Sequence, residues 1–301
     1  MYEPAGPLDV ARSGGPVSGA PRDNLRFSVV IPAYNESGYL AEALSSLHRQ
    51  TYRGGYEVIV VDNNSTDATA AIARQHGAQV LHELRPGVCA ARQRGTEASR
   101  GQIVVSTDAD TVHPADWLDR LDAQFRRHPE AIAVAGPCRY REPLWWAALF
   151  PRLWFTAVAV VFALTDRIFY LTATNVAFVR TAFPGYDLTL TQGGDEVDFL
   201  RRLRDRGRVV WDARNPVLTS SRRMDQGLGY TLFVSFGYHY AGSYLLNRLS
   251  SRTVVGVMPA IRLQDQDRVR RRRLRWRAGL GVVAAGLAAV AWSRPHGVKH
   301  R

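Results

Sequence analysis

Short runs of β-branched and apolar residues recur along the first half of the chain. They predict strands at Phe27–Ile31, Glu57–Val61, Gln79–His82, Ile103–Ser106 and Ala131–Ala135. Between them the apolar positions take helical spacing, at Tyr39–Gln50, Ala68–His76, Val88–Ser99 and Pro114–His128. Asp67 is placed to cap the second of these helices, and Pro114 suits the first turn of the fourth. Strands alternating with helices of this length predict an α/β fold with a mostly parallel sheet.

The texture changes after Gly136. Leu144–Leu164 is apolar and aromatic, broken by Pro151 and Arg152, and reads as an interfacial or hairpin insertion with Trp145, Trp146 and Trp154 as belt residues. A second α/β stretch follows, with a strand at Asn175–Val179, a helix near Glu196–Arg206 and a strand at Val209–Trp211. Leu228–Leu246 is rich in Tyr and Phe. A basic run from Arg268 to Arg277 then precedes the apolar segment Ala278–Trp292. As a helix those last 15 residues reach about 22 Å against a hydrocarbon core of about 30 Å, short for a crossing. The predicted division is a disordered tail over 1–26, a catalytic domain over 27–225 and a membrane-associated region over 226–301.

In an open α/β sheet, ligands bind beyond the carboxyl ends of the strands. The residues expected there are Pro32-Ala33-Tyr34-Asn35-Glu36, Asp62 to Asp67, Arg85-Pro86-Gly87 and Asp108-Ala109-Asp110-Thr111, which gathers carboxylates, amides and an arginine along one edge. Asp108 and Asp110, two apart where the chain turns, suit a hard divalent cation whose other ligands are waters and phosphate oxygens. The same spacing also serves to cap a turn. Asp62 follows a strand that would hold its carboxylate for a base N–H or a ribose hydroxyl. Asp195 and Glu196 open a helix after two glycines. They fit either dipole capping or a general base that deprotonates an attacking hydroxyl. Arg222 and Arg223 follow Thr219-Ser220-Ser221, a set suited to phosphate oxygens.

Charge sharpens this picture. The 301 residues carry a net charge of +12, almost all from arginine, since Lys299 is the one lysine. Phosphates and an anionic membrane are the partners this favours. Nucleic acid fits less well, because the arginine run abuts an apolar segment and has no aromatic platform. Cys89 and Cys138 form neither a ligand pattern nor a disulfide framework and read as reduced core thiols. The first 26 residues lack the apolar core of a signal peptide, so the catalytic domain is expected on the cytoplasmic face of a membrane.

The ordered set Val30-Ile31-Pro32-Ala33-Tyr34-Asn35-Glu36, Val60-Val61-Asp62-Asn63-Asn64-Ser65-Thr66-Asp67, Ala91-Arg92-Gln93-Arg94-Gly95 and Asp108-Ala109-Asp110 resembles the inverting glycosyltransferase family 2, with its GT-A fold. The resemblance runs from about Phe27 to Arg223. It implies a nucleotide-diphosphate sugar as donor, with Pro32, Tyr34, Glu36 and Asp62 lining the nucleotide pocket. It also implies Asp108 on the donor and Asp110 on Mg²⁺ or Mn²⁺. The family's Glu-Asp pair reads Asp195-Glu196 here, so Glu196, then Asp195, is the expected base. Asn175 resembles the family's acceptor-side Asn, and Arg85, Arg222 and Arg223 are assigned to the donor side. No Gln-x-x-Arg-Trp motif follows Arg223, so a single-transfer enzyme is expected, acting on a sugar or lipid-linked acceptor. The rival readings are a nucleotidyltransferase, disfavoured by the lack of a Gly-rich basic loop after the first strand, and a non-catalytic membrane scaffold that has kept the fold.

Overall fold

The structure is a computed structural model that describes residues 25–222, apart from 142, 144 and 191–193. The tail, Arg223, the basic run and Ala278–Trp292 lie outside the described residues, as do the side chains of Trp145 and Trp146.

In chain order the elements are β1 (Phe27–Ala33), α1 (Leu40–His48), β2 (Tyr56–Asp62), α2 (Thr69–Gln75), β3 (Gln79–His82), α3 (Val88–Ala98), β4 (Ile103–Ser106), β5 (Thr111–Val112) and α4 (Trp117–Arg127). They continue with β6 (Ala131–Ala135), β7 (Cys138–Arg141), α5 (Trp145–Thr165), β8 (Val176–Val179), α6 (Asp195–Arg204), β9 (Arg208–Trp211) and β10 (Val217–Ser220). Seven strands form one sheet in the order β3-β2-β1-β4-β8-β6-β9. The chain winds outward from β1 through β2 to β3, then returns to lay β4 on the other side of β1, parallel to it. The strand order therefore reverses at β1, where an open sheet leaves a crevice.

Two cores lie on opposite faces of the sheet, as the period of two along each strand requires. Along β1, Val29 and Ile31 join the core holding Leu40, Leu44, Leu47 and Trp117, while Val30 joins the one holding Phe155, Phe178 and Phe199. β1 and β2 are wholly or almost wholly buried along their length, as expected of central strands covered on both faces.

The mostly parallel sheet has one departure. β8 is antiparallel to both of its neighbours, β4 and β6. A second, three-stranded sheet, β5-β10-β7, was not expected at all. Of the two helix-end readings, one shifts. Asp67 does accept the Thr69 N–H at the head of α2, at 3.0 Å. Pro114, however, lies in the turn before α4, where its carbonyl accepts the Trp117 N–H. The expected hairpin at Pro151 is a continuous helix instead. Proline removes one hydrogen bond to the residue four earlier, and α5 runs through that loss to Thr165.

Candidate active site

β1 and β2 end in register, Ala33 beside Asp62, and the Thr107 N–H reaches the Val30 carbonyl. The loops after β1, β2 and β4 thus leave the sheet side by side. Asn35 and Asn64 turn their loops sharply at φ 52° and 67°, a region asparagine tolerates better than most residues. The two loops are then tied together. The Asn35 N–H donates to Ser65 Oγ at 3.0 Å, and the Thr66 N–H donates to Asn35 Oδ1 at 2.8 Å.

Asp62 is 5% exposed, accepts the Ser65 N–H and lies 3.2 Å from His82 Nδ1. Asn63 fixes the next loop, donating to the carbonyls of Glu83 and Arg85 at 2.8 Å and accepting the Gly87 N–H. That bonding holds the Arg85 backbone, while the exposed Arg85 guanidinium reaches the Leu188 carbonyl at 2.9 Å. Pro32 is half-buried at the end of β1, and Tyr34 stands 41% exposed at the crevice mouth.

Two arginines, Arg92 buried and Arg222 half-buried, organise the acids. Arg92, on α3, donates to Asp108 at 2.9 Å and to Asp195 at 3.0 Å. It joins the turn after β4 to the head of α6, although Arg92 and Asp195 are 103 positions apart. Burial opposes its charge, but Asp108 and Asp195 outweigh that and hold it protonated. Arg222 grips Glu36 with both ends of its fork at 2.8 Å, lies 3.0 Å from Asp110, and sits over the Tyr39 ring. Pairing of β10 with β5 brings Arg222 there and sets Thr219 against Asp110 at 3.1 Å. Burial pushes the Asp110 carboxyl up. Arg222 opposes that rise, and the neighbouring Asp108 and Glu36 add to it.

Glu196 is held by three donors: the Tyr170 hydroxyl, the Thr172 hydroxyl at 3.2 Å and the Ala173 N–H at 2.9 Å. Asp108 is one-third exposed and also accepts from Thr174 at 2.7 Å. The Cys138 thiol is pushed up by loss of solvent and by Glu196, Asp108 and Asp110, which holds it in the protonated form. Five carboxylates, those of Glu36, Asp108, Asp110, Asp195 and Glu196, thus share this edge with two guanidiniums. Among the described residues no three or more of His, Cys, Asp or Glu form a ready-made metal cage. The excess of hard, negative oxygen at Asp108 and Asp110 nonetheless suits a divalent cation that keeps waters or phosphate oxygens as its remaining ligands.

Asn175 takes a different place from the one its resemblance implied. It is 1% exposed, its amide donates to the Pro137 and Asn215 carbonyls, and it accepts from the Trp117 indole. All of its polar groups are engaged inside the fold, so it braces the sheet beneath the site. Arg92, conversely, was visible in the sequence only as part of a motif. A helix arginine ordinarily reads as a solvated side chain.

A sequence profile described as glycosyl transferase family 2 matches residues 28–183, just over half of the chain. The chain belongs to this family. An uncharacterized glycosyltransferase of Mycobacterium tuberculosis is 39% identical over 105 residues, 35% of this chain and 46% of its own length. The glycosyltransferase AglE of Haloferax volcanii is 39% identical over 100 residues, 31% of this chain and 33% of its own. The matches thus span less than half the length of these relatives. S. aureus TarS 1-349 in complex with UDP-GlcNAc superposes with a TM-score of 0.55 at 18% identity, covering 68% of this chain and 62% of that one. Mannosyltransferase PcManGT from Pyrobaculum calidifontis, in complex with GDP-Man and Mn²⁺, gives 0.52 at 23%, covering 70% and 61%. At these identities the likeness establishes the GT-A fold.

Proposed function

We propose that this family 2 member is an inverting, metal-dependent, single-transfer glycosyltransferase. It moves a sugar from a nucleotide-diphosphate donor to an acceptor hydroxyl. The observation that carries the reading is the ion-pair system at the crevice, in which Arg92 links Asp108 to Asp195 and Arg222 links Glu36 to Asp110. It sets a diphosphate-side group of acids beside a helix whose next residue, Glu196, is aimed by hydrogen bonds from Tyr170, Thr172 and Ala173.

Asp62, Pro32 and Tyr34 would receive the nucleoside, with Arg85 at the rim. Asp110, with Asp108, would hold Mg²⁺ or Mn²⁺, which supplies neutralisation of the diphosphate as it leaves. Glu196 takes the proton from the acceptor hydroxyl, with Asp195 kept by Arg92 as its neighbour. The acceptor oxygen bonds to the anomeric carbon as the bond to the diphosphate breaks, and a single in-line displacement inverts the configuration. Arg222, with its fork already at the acid pair, is within reach of phosphate oxygens there, and Arg223 is assigned the same side.

The acceptor side favours a lipid-linked hydroxyl at a membrane surface on the cytoplasmic face. Tyr170, which bonds Glu196, packs edge-on against Trp154, and Trp154 is 39% exposed on α5. One side chain therefore separates the base from the most apolar helix among the described residues.

The test is donor binding and slow hydrolysis by purified protein across UDP-, GDP- and dTDP-sugars, with and without Mn²⁺, beside Asp110→Ala. Metal-dependent turnover of one donor, lost in the variant, supports the reading. No binding of any nucleotide-sugar under any metal condition would bring the membrane-scaffold alternative forward.

A further inference from the structure

α5 covers one face of the sheet with Ala147, Phe155 and Val158, but leaves a second face open. Leu149, Leu153, Val160 and Leu164 are 48%, 62%, 50% and 79% exposed. Their spacings of four, seven and four place them in one stripe, about 22 Å long. The helix is long and apolar enough to meet a membrane, with only 22% of its most apolar window buried.

At the C-terminal end of that stripe lies a cleft of about 540 Å³ along edge strand β9, between α4 and α5. Phe162, Ala163 and Asp166, in and just after the last turn of α5, form one wall. Arg127, Arg208 and Arg214 line it as well. Arg208 is bound by Asp166 and Glu130. Arg127 and Arg214 are exposed and carry no ion pair with any described residue. Asp166 and Asp212 also line the cleft, but Asp166 is taken by Arg208 and Asp212 is buried, which leaves the Arg127 and Arg214 guanidiniums open to an anion. An exposed apolar stripe is a poor arrangement for a surface facing only water. Stripe and arginines together suit a bilayer, where acyl chains take the one and a phosphate takes the other.

We propose that this cleft is a headgroup site for an anionic phospholipid, and that α5 lies in the membrane interface with its stripe among the acyl chains. The proposal rests on the membrane side of the reading above and is independent of the transfer chemistry. Arg152, exposed beside the stripe, is long enough to reach the same headgroup layer.

Flotation of the full chain with phosphatidylcholine vesicles, with and without phosphatidylglycerol, tests it. Wild type is expected to bind the anionic vesicles more tightly. Arg127→Gln with Arg214→Gln should weaken anionic binding about thirtyfold and leave neutral vesicles unaffected. Leu153→Asp with Leu164→Asp should abolish binding to both. Thermal melts and donor hydrolysis report whether each variant is folded, and the arginine variant should match wild type in both. Binding to anionic vesicles that the arginine variant retains overturns the cleft while sparing the membrane reading, and assigns the charge preference elsewhere. Failure of wild type to bind any vesicle overturns both, whatever donor hydrolysis shows. Protection of the cleft by inorganic phosphate without vesicle binding overturns the lipid assignment.

Discussion

Replacing Arg92 with methionine removes the guanidinium that joins Asp108 to Asp195 while keeping most of its volume. At an effective dielectric constant of about 20, each contact near 3 Å is worth roughly 5 kcal/mol in Coulomb energy before desolvation is counted. Desolvation offsets much of that in the intact pair, but removing one partner leaves the other carboxylate in place, at about 3–5 kcal/mol for a buried pair. Arg92 and Asp195 have side chains 6% and 9% exposed, so that arm counts nearly in full. Asp108 is 33% exposed, and solvent screens its arm heavily. The expected loss is therefore about 3 kcal/mol, read from urea unfolding at neutral pH. Arg92→Lys keeps the charge but not the fork and should recover part of it. The loss should persist at high salt, because buried pairs are screened little. Removing the exposed Arg201 at its Asp198 pair is the control and should cost under about 0.5 kcal/mol. An Arg92→Met protein as stable as wild type would refute the claim that this arginine ties the two halves of the site together.

His113 is buried between Ser46 and Thr107, and burial pushes its pKa down to about 3. The unfolded chain takes up that proton near pH 6.5 and the fold does not, so stability falls as pH drops from about 6.5 towards 3, by up to about 1.4 kcal/mol per unit. His113→Asn should flatten that slope in unfolding curves taken across the range. Asp110→Asn removes a carboxylate whose burial raises its pKa, a penalty felt once pH rises above the ordinary carboxylate range. At neutral pH the variant should melt no lower than wild type while losing metal-dependent donor turnover. Tyr170→Phe deletes one donor to Glu196 and should lower kcat about tenfold with donor affinity kept, measured by steady-state kinetics and calorimetry.

The parallel half of the sheet was legible because Val58 to Val61 and Val29 to Ile31 are continuous apolar runs bounded by turn residues. The positions of Asp62 and Asp108 followed from that, since strand ends dictate where loops emerge. Strand direction was not legible. Val176–Val179 reads the same whether it runs parallel or antiparallel, and its reversal depends on neighbours more than 40 positions earlier. β5 has two residues and β10 four, too few to show a period, so the pairing that delivers Arg222 to Glu36 could not be read. Arg92 was hidden for a related reason. Its burial makes sense only beside Asp195, and no local pattern connects the two. Asn175 shows the opposite failure, a motif position whose side chain the fold takes for its own bracing.

The most direct measurement of the central claim is donor binding and transfer by Glu196→Gln beside Asp195→Asn and wild type, using whichever nucleotide-sugar the wild type turns over. The account predicts that Glu196→Gln binds donor and metal as wild type does, while transfer falls by about 10²–10⁴, the share a positioned general base supplies. Undiminished transfer by Glu196→Gln, with the loss found only in Asp195→Asn, would contradict the assignment of the base. Transfer retained in both would contradict the proposed site itself.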